Sequence, residues 1–177
     1  KWNADRLKTD KMPVGMGVGV NTDNVVTGNI GSSKRMDFTM IGDGVNLAAR
    51  LEGSCKTYGA QIIISEFTQT KLKGIYALRE LDRIVVQGKT EPVSIFEVLD
   101  FHDDETFPAR MDVVGHFTEG LAHYRNTKFD DAIKSFKAAL DANSEDVPSK
   151  LYIERCELFK KSPPPKDWSG EWVMTEK

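Results

Sequence analysis

Between residues 12 and 20 Val or Met alternates with Gly, so Val14, Met16, Val18 and Val20 share one face of an extended segment and the glycines hold the other. This pattern predicts a strand. Residues 21–24 read as a turn, and residues 25–28 as the strand returning from it. Further on the period becomes helical. At about 100° per residue Gly44, Leu47, Ala48, Leu51 and Cys55 fall on one side, which predicts a helix starting near Val45 with Asp43 as its N-cap. After Gly59, the β-branched run of residues 61–65 reads as a buried strand and residues 66–72 as a short helix. Residues 76–86 and 93–98 are β-rich and joined by a hairpin-like turn. The charged residues 1–11 read as the end of a helix. This alternation predicts an α/β sandwich, a mixed sheet covered by helices.

From Phe101 the pattern changes. An acidic stretch ends at Pro108, which marks a boundary and divides the chain into residues 1–100, a linker at 101–110, a helical part at 111–161 and an arm at 162–177. Residues 113–124, 129–140 and 148–159 read as three amphipathic helices. Gly120, Tyr124, Phe129, Ala132, Phe136 and Ala139 match the small and aromatic positions of one tetratricopeptide-like repeat. One repeat is too few to stand alone, so this part is expected to pack on residues 1–100 or on a neighbouring subunit. Ser162 and three prolines stop the last helix. Trp168 and Trp172 are costly to leave in water, and are expected to dock into a groove of the same or a partner chain.

Composition narrows the function classes. With 24 Lys plus Arg against 27 Asp plus Glu, the formal charge is −3, which argues against a nucleic-acid partner. No apolar run approaches the length of a membrane span and no signal peptide opens the chain, so the expectation is no membrane contact from this segment and a cytoplasmic setting. Cys55 and Cys156 lack metal-ligand spacing and are expected to be reduced and buried. His116 and His123 have no carboxylate at metal spacing and read as packing or surface residues. The glycines of residues 15–19 are not followed by Gly-Lys-Ser or by a helix, so they do not read as a phosphate cradle.

Asn46 and Arg50 lie opposite the apolar stripe of the helix. Spaced i and i+4, they stand about 6 Å apart along the axis, and their neighbours on that side, Ala49 and Gly53, are small. An amide and a guanidinium converging there suit an oxyanion or a phosphoryl group. A solvated helix face satisfies the same spacing.

The segment Gly28-Asn-Ile-Gly-Ser-Ser-Lys-Arg-Met-Asp-Phe-Thr-Met-Ile-Gly-Asp-Gly-Val-Asn-Leu-Ala-Ala-Arg-Leu-Glu52 resembles the second half of the class III nucleotidyl cyclase catalytic domain. The resemblance runs from about Met12 to Leu99 and takes in the glycine-rich strand and the turn at residues 86–93. It implies a ferredoxin-like core, incomplete at its N-terminus here, and closure of the ribose 3′ oxygen onto the α-phosphate of a nucleoside triphosphate with release of pyrophosphate. By this resemblance Asn46 orients the ribose and Arg50 stabilises charge on the transferring phosphoryl. Phe38 and Thr39 fall at the substrate-binding strand, with Thr39 at the base-reading position. Adenylyl cyclases carry Asp or Thr there, so ATP is the implied substrate, although a hydroxyl discriminates less sharply than a carboxylate.

The family acts as a dimer with shared sites and two Mg²⁺ or Mn²⁺ ions, whose aspartate ligands are expected upstream of residue 1. Gln87 departs from the family pattern, which usually has a triphosphate-contacting Lys there. Lys89 either reaches the phosphates through its flexible stem or stands solvated in the turn. Competing expectations are an adenylate cyclase acting as a homodimer, a guanylate cyclase, and a catalytically silent cyclase-like module that regulates or recruits partners.

Overall fold

The computed structural model describes residues 2–32, 35–85 and 92–173. Its elements in chain order are α1 (Trp2–Leu7), β1 (Val18–Val20), β2 (Val26–Ser32), β3 (Arg35–Ile41), α2 (Asp43–Tyr58), β4 (Ile62–Ser65), α3 (Glu66–Gln69), β5 (Leu78–Val85), β6 (Pro92–Val98), α4 (Arg110–Arg125), α5 (Phe129–Ala142), α6 (Val147–Lys161) and β7 (Trp172–Val173). Five strands form a mixed sheet in the order β1-β4-β6-β5-β7, and β2 and β3 form a separate two-stranded ribbon. The α/β architecture expected from the alternating pattern is present. Among the described residues no helix is long and apolar enough to cross a membrane.

Strand partners differ from the local reading. Residues 25–28 do not return alongside the first strand: β1 pairs in parallel with β4, and β2 pairs antiparallel with β3. Seven successive residues of β2 find partners in β3, more than the three-residue β1 offers, and β1 is left to the sheet. The first strand is also shorter than its alternation suggested, covering only residues 18–20. The glycine face of this segment is where α2 lies. A Cβ on Gly19 would stand 2.2 Å from the Ala48 carbonyl oxygen and 2.3 Å from the Glu52 nitrogen, so the backbone of α2 lies directly on β1 where only glycine fits. The opposite face, with Met16 76% exposed, is left uncovered.

The apolar stripe of α2 lies as its period requires. Leu47, Leu51, Cys55 and Tyr58 join Ile63, Leu81, Ile84, Val93 and Ile95 in one buried cluster. Full burial of each such aliphatic side chain contributes about 1.5–3 kcal/mol. Leu151 of α6 packs against the same cluster, so the helical tail is part of this core.

The tail has its own aromatic centre, with Phe117, Tyr124, Phe136 and Tyr152 fully buried. The stretch expected to be a linker is partly a packing element. Phe107 is buried with Leu99, Val113 and Ala139, and Arg110 starts α4 while donating to the Leu99 carbonyl. Both tryptophans of the arm dock on their own chain. The Trp168 ring centroid lies 5.1 Å from those of Tyr124 and Phe159, and β7 adds in parallel to β5. Trp168→Ala is expected to cost about 2–3 kcal/mol and to lower the melting temperature by roughly 5–10 °C in a thermal scan. An unchanged scan would place the arm outside the packed structure.

Charged groups join sheet and tail. Arg79 of β5 donates to Glu97 of β6 at 2.6 Å and to Asp146, the N-cap of α6, at 2.6 Å, with all three side chains under 5% exposed. Arg125 of α4 holds Glu80 in a two-bonded fork. Beside Arg79 a cavity of about 110 Å³ is lined by Glu97, His102, Thr106 and Asp146. Burial, then the charges of Arg110 and Arg79, hold His102 below the ordinary imidazole range. A folded-state value lower than the unfolded one means that the unfolded chain takes the proton first, so this contribution to stability is lost as pH falls below about 6.5. Comparing urea unfolding of the parent and of His102→Asn across pH 5 to 8 checks this. The parent's relative stability is expected to drop on the acid side, and a constant difference would rule the coupling out.

Candidate functional site

β3 runs into α2 through a single residue, Gly42, which caps the helix with φ 157 and ψ 158 and no side-chain hydrogen bond. The N-cap is therefore Gly42 and not Asp43. Asp43 is the first helical residue, where its carboxylate still suits the positive end of the helix. The Gly42 carbonyl accepts from the Val45 and Asn46 amides, and the Asn21 side chain donates to the Gly44 carbonyl at 3.1 Å. These bonds seat the first turn against the loop after β1.

Asn46 is exposed and Arg50 half-buried, one turn apart on the side of α2 away from the core, with Ala49 and Gly53 exposed beside them. The Arg50 carbonyl accepts from Ser54 Oγ at 2.7 Å, tightening the turn that follows. What this face offers is an amide that both donates and accepts, a permanent positive charge, and no bulky side chain on the small positions between them. A phosphoryl or carboxylate oxygen is the natural ligand for such a pair.

The two substrate-strand candidates are adjacent in β3 and so point to opposite faces of the ribbon. Thr39 pairs with Gly28, and Phe38 with Asn29. Gly28 leaves open space next to Thr39, since a Cβ there would meet nothing within 4 Å. Phe38 is 73% exposed and shares its face with Met36 and Met40, at 61% and 57%. That face is an apolar surface. The structure thus groups Asn46 and Arg50 on one helix, places Thr39 on the strand leading to it, and separates Phe38 from Thr39. Lys89 and Gln87 lie outside the described residues. A groove of about 820 Å³ runs between residues 14–17 and the C-terminal half of α2, lined by Glu52, Gly53 and Lys56, and neither Asn46 nor Arg50 lines it.

Among the described residues no group of three or more His, Cys, Asp or Glu side chains is placed to hold a metal ion. The residues here do not by themselves fit a metal pair. Both cysteines are free and buried, and burial pushes the Cys156 thiol up to about 12, so it stays protonated and inert at neutral pH.

Sequence reasoning did not single out the groups that anchor the far end of α2. Tyr58 Oη donates to Asp82 Oδ2 at 2.5 Å, and Arg155 of α6 donates to the same oxygen at 2.6 Å and to Tyr58 Oη at 3.3 Å. No local signal marked them, since Asp82 is one of four charged residues in the eight of β5.

A family model described as the adenylate and guanylate cyclase catalytic domain matches residues 3–99. The terminal-differentiation-specific adenylate cyclase of Dictyostelium discoideum is 33% identical over 143 residues, which is 79% of this chain and 7% of that protein. The adenylate cyclase of Anabaena cylindrica is 42% identical over 105 residues, 55% of this chain and 21% of that protein. The chain therefore spans about a fifth or less of the length of these two curated relatives. Since 79% of 177 residues is about 140, the first match extends past Pro108 into the helical tail. Among solved structures, the adenylyl cyclase CyaB from P. aeruginosa is 33% identical with a TM-score of 0.47, covering 57% of this chain and 52% of that one. A guanylyl cyclase, Cya2, is 35% identical with a TM-score of 0.48, covering 54% and 48%.

Proposed function

Because this chain belongs to the adenylate and guanylate cyclase catalytic domain family, we propose that it supplies the ribose-orienting, charge-stabilising and base-reading half of an adenylate cyclase site that forms cyclic AMP and pyrophosphate from ATP. The observation that carries this reading is the placement of Asn46 and Arg50 one turn apart on the outer side of α2, with Thr39 on the strand that feeds it. Asn46 holds the ribose so that its 3′ oxygen lies in line with the α-phosphorus. Arg50 meets the negative charge that spreads over the phosphoryl oxygens as the new bond forms and pyrophosphate leaves. The Thr39 hydroxyl accepts from the adenine amino group, which favours ATP over GTP.

The site is completed across a homodimer. In support, large apolar side chains are exposed on both faces of the β2–β3 ribbon, Val26 at 72% and Ile41 at 52% on one and Phe38 at 73% on the other. A free two-stranded ribbon is marginal in water, so a second protein surface is its natural cover.

The test compares cyclic nucleotide formation from ATP and from GTP, with Mg²⁺ and with Mn²⁺, by this chain and by one extended upstream through a full cyclase domain. Cyclic AMP from the extended protein alone supports the proposal, and cyclic GMP in excess would move it to a guanylate cyclase. Silence from a folded extended protein would favour the silent module, for which the substitution of Gln87 for the usual Lys is the specific argument.

A further inference from the structure

The helix that carries Asn46 and Arg50 is fixed at its middle and at its C-terminal end, and the two fixings come from different parts of the chain. Its middle rests on β1 through the close approach of Gly19 to Ala48 and Glu52. Its last residue, Tyr58, is fully buried and bonded to Asp82, and Asp82 is in turn bonded to Arg155 of the helical tail. The next residue extends the contact. Gly59 ends α2 with φ 64, and a Cβ there would stand 2.7 Å from the side chain of Val147, at the start of α6. Arg155 is also bound on its flat sides, with its guanidinium carbon 4.1 Å from the centroid of the Trp172 ring and 5.0 Å from that of Tyr152.

We propose that Arg155 is a positioning residue: through Asp82 and Tyr58 the tail helix α6 sets where α2 stands, and with it where Asn46 and Arg50 point. A helix transmits such a setting well. Arg50 is eight residues, about 12 Å, from Tyr58, and a hydrogen-bonded helix of that length turns about its axis as a unit. With Arg155 removed, Asp82 is left buried and uncompensated and draws Tyr58 out of place, so α2 can rotate and slide on β1. An Arg that has to meet charge at one point in space loses its effect on the transition state after a shift of about 1 Å, while weaker ground-state contacts survive it. The functional half of this inference rests on the reading in the preceding subsection. Its mechanical half does not.

The experiment uses the complete cyclase and the variants Arg155→Met, Arg155→Lys and Tyr58→Phe, with Lys160→Ala on the exposed side of α6 as a control. Steady-state kinetics with ATP and hydrogen exchange of the α2 amides are measured on each. Arg155→Met and Tyr58→Phe are expected to lower kcat roughly tenfold or more, with KM changed by less than about twofold. Arg155→Lys keeps the charge on Asp82 and is expected to recover part of kcat. Lys160→Ala is expected to behave as the parent. Exchange across residues 43–58 is expected to quicken in Arg155→Met and Tyr58→Phe. A folded Tyr58→Phe variant with parental kcat, or with parental exchange in α2, would overturn the proposal. If Arg155→Met does not fold, Tyr58→Phe still decides, because it keeps the ring and removes only the hydroxyl. A parent enzyme that makes no cyclic nucleotide overturns the proposed function, and exchange in α2 then decides the mechanical claim by itself.

Discussion

Arg50→Ala in the complete enzyme is expected to lower turnover by roughly 10²-fold or more while leaving the melting temperature close to that of the parent. The two halves of this expectation have separate grounds. Arg50 is half-buried and lies on the side of α2 turned away from the core cluster of Leu47, Leu51, Cys55 and Tyr58, so truncating it opens no cavity there. Alanine is also the best helix former. On the proposed reading the guanidinium meets charge that exists mainly in the transition state, so kcat falls and KM for ATP moves little. Arg50→Lys is expected to recover only part of the loss, because an ammonium keeps the charge and loses the planar fork. Steady-state kinetics check this, and an unchanged turnover number would refute the assignment.

Arg79→Met is expected to cost about 3–5 kcal/mol of folding stability. Arg79 is the cation between two buried carboxylates, and it also lies 5.1 Å from the centroid of the Phe117 ring and 5.3 Å from that of Phe107. Methionine keeps much of that packing, so the loss isolates the charge. Glu97 is held above the usual carboxylate range by burial, with Arg79 opposing, and loss of Arg79 leaves only the upward causes. The sign of the pH effect follows: when a folded carboxyl binds its proton more tightly than the unfolded one, stability falls as pH rises through that interval. The deficit of Arg79→Met is therefore expected to be largest near neutral pH and to shrink toward pH 5. Denaturant unfolding at several pH values measures it. Adding Glu97→Leu to Arg79→Met should restore part of the stability, because Asp146 keeps its bonds to the Ser149 amide and hydroxyl. If the double variant is as unstable as the single one, uncompensated charge is not the cause.

These two residues also mark how far a sequence can be read. Arg50 is legible, since its separation from Asn46 and its place opposite the apolar stripe are properties of one helix, and the helical period of residues 44–58 is strong. The small helix-face neighbours Ala49 and Gly53 were visible in the same way. Arg79 is not. Four of the eight residues of β5 are charged, which reads as a solvated strand, yet Arg79 and Asp82 are 3% and 0% exposed. Each has a nearer partner, Glu97 at 18 positions and Tyr58 at 24, and a second one 67 or 73 positions away, in a part of the chain whose helices carry many other charges. Periodicity reports which face of an element is apolar, and it is blind to a charge whose burial depends on a distant partner. Strand pairing failed for a related reason. A turn signal at residues 21–24 is local, while the choice of β4 as the partner of β1 depends on α2 lying across the glycines. Docking of Trp168 and Trp172 was legible as a need for cover, and the tail was expected to pack somewhere, but neither the identity of the covering surface nor its bridging charges follows from spacing.

The lock on α2 also has a place in time. Arg155 follows Tyr58 by 97 residues and Asp82 by 73. At about 5–20 residues added per second, the ribosome exposes Tyr58 roughly 5–20 s before the Arg that completes its network. From its own emergence, roughly 4–15 s before that Arg, Asp82 is a carboxylate without Arg155, and the strand that carries it gains little from burial. Final seating of the helix therefore waits for the middle of α6 to emerge, and a nascent chain stalled before α6 carries Asn46 and Arg50 on a helix that is formed and not yet set.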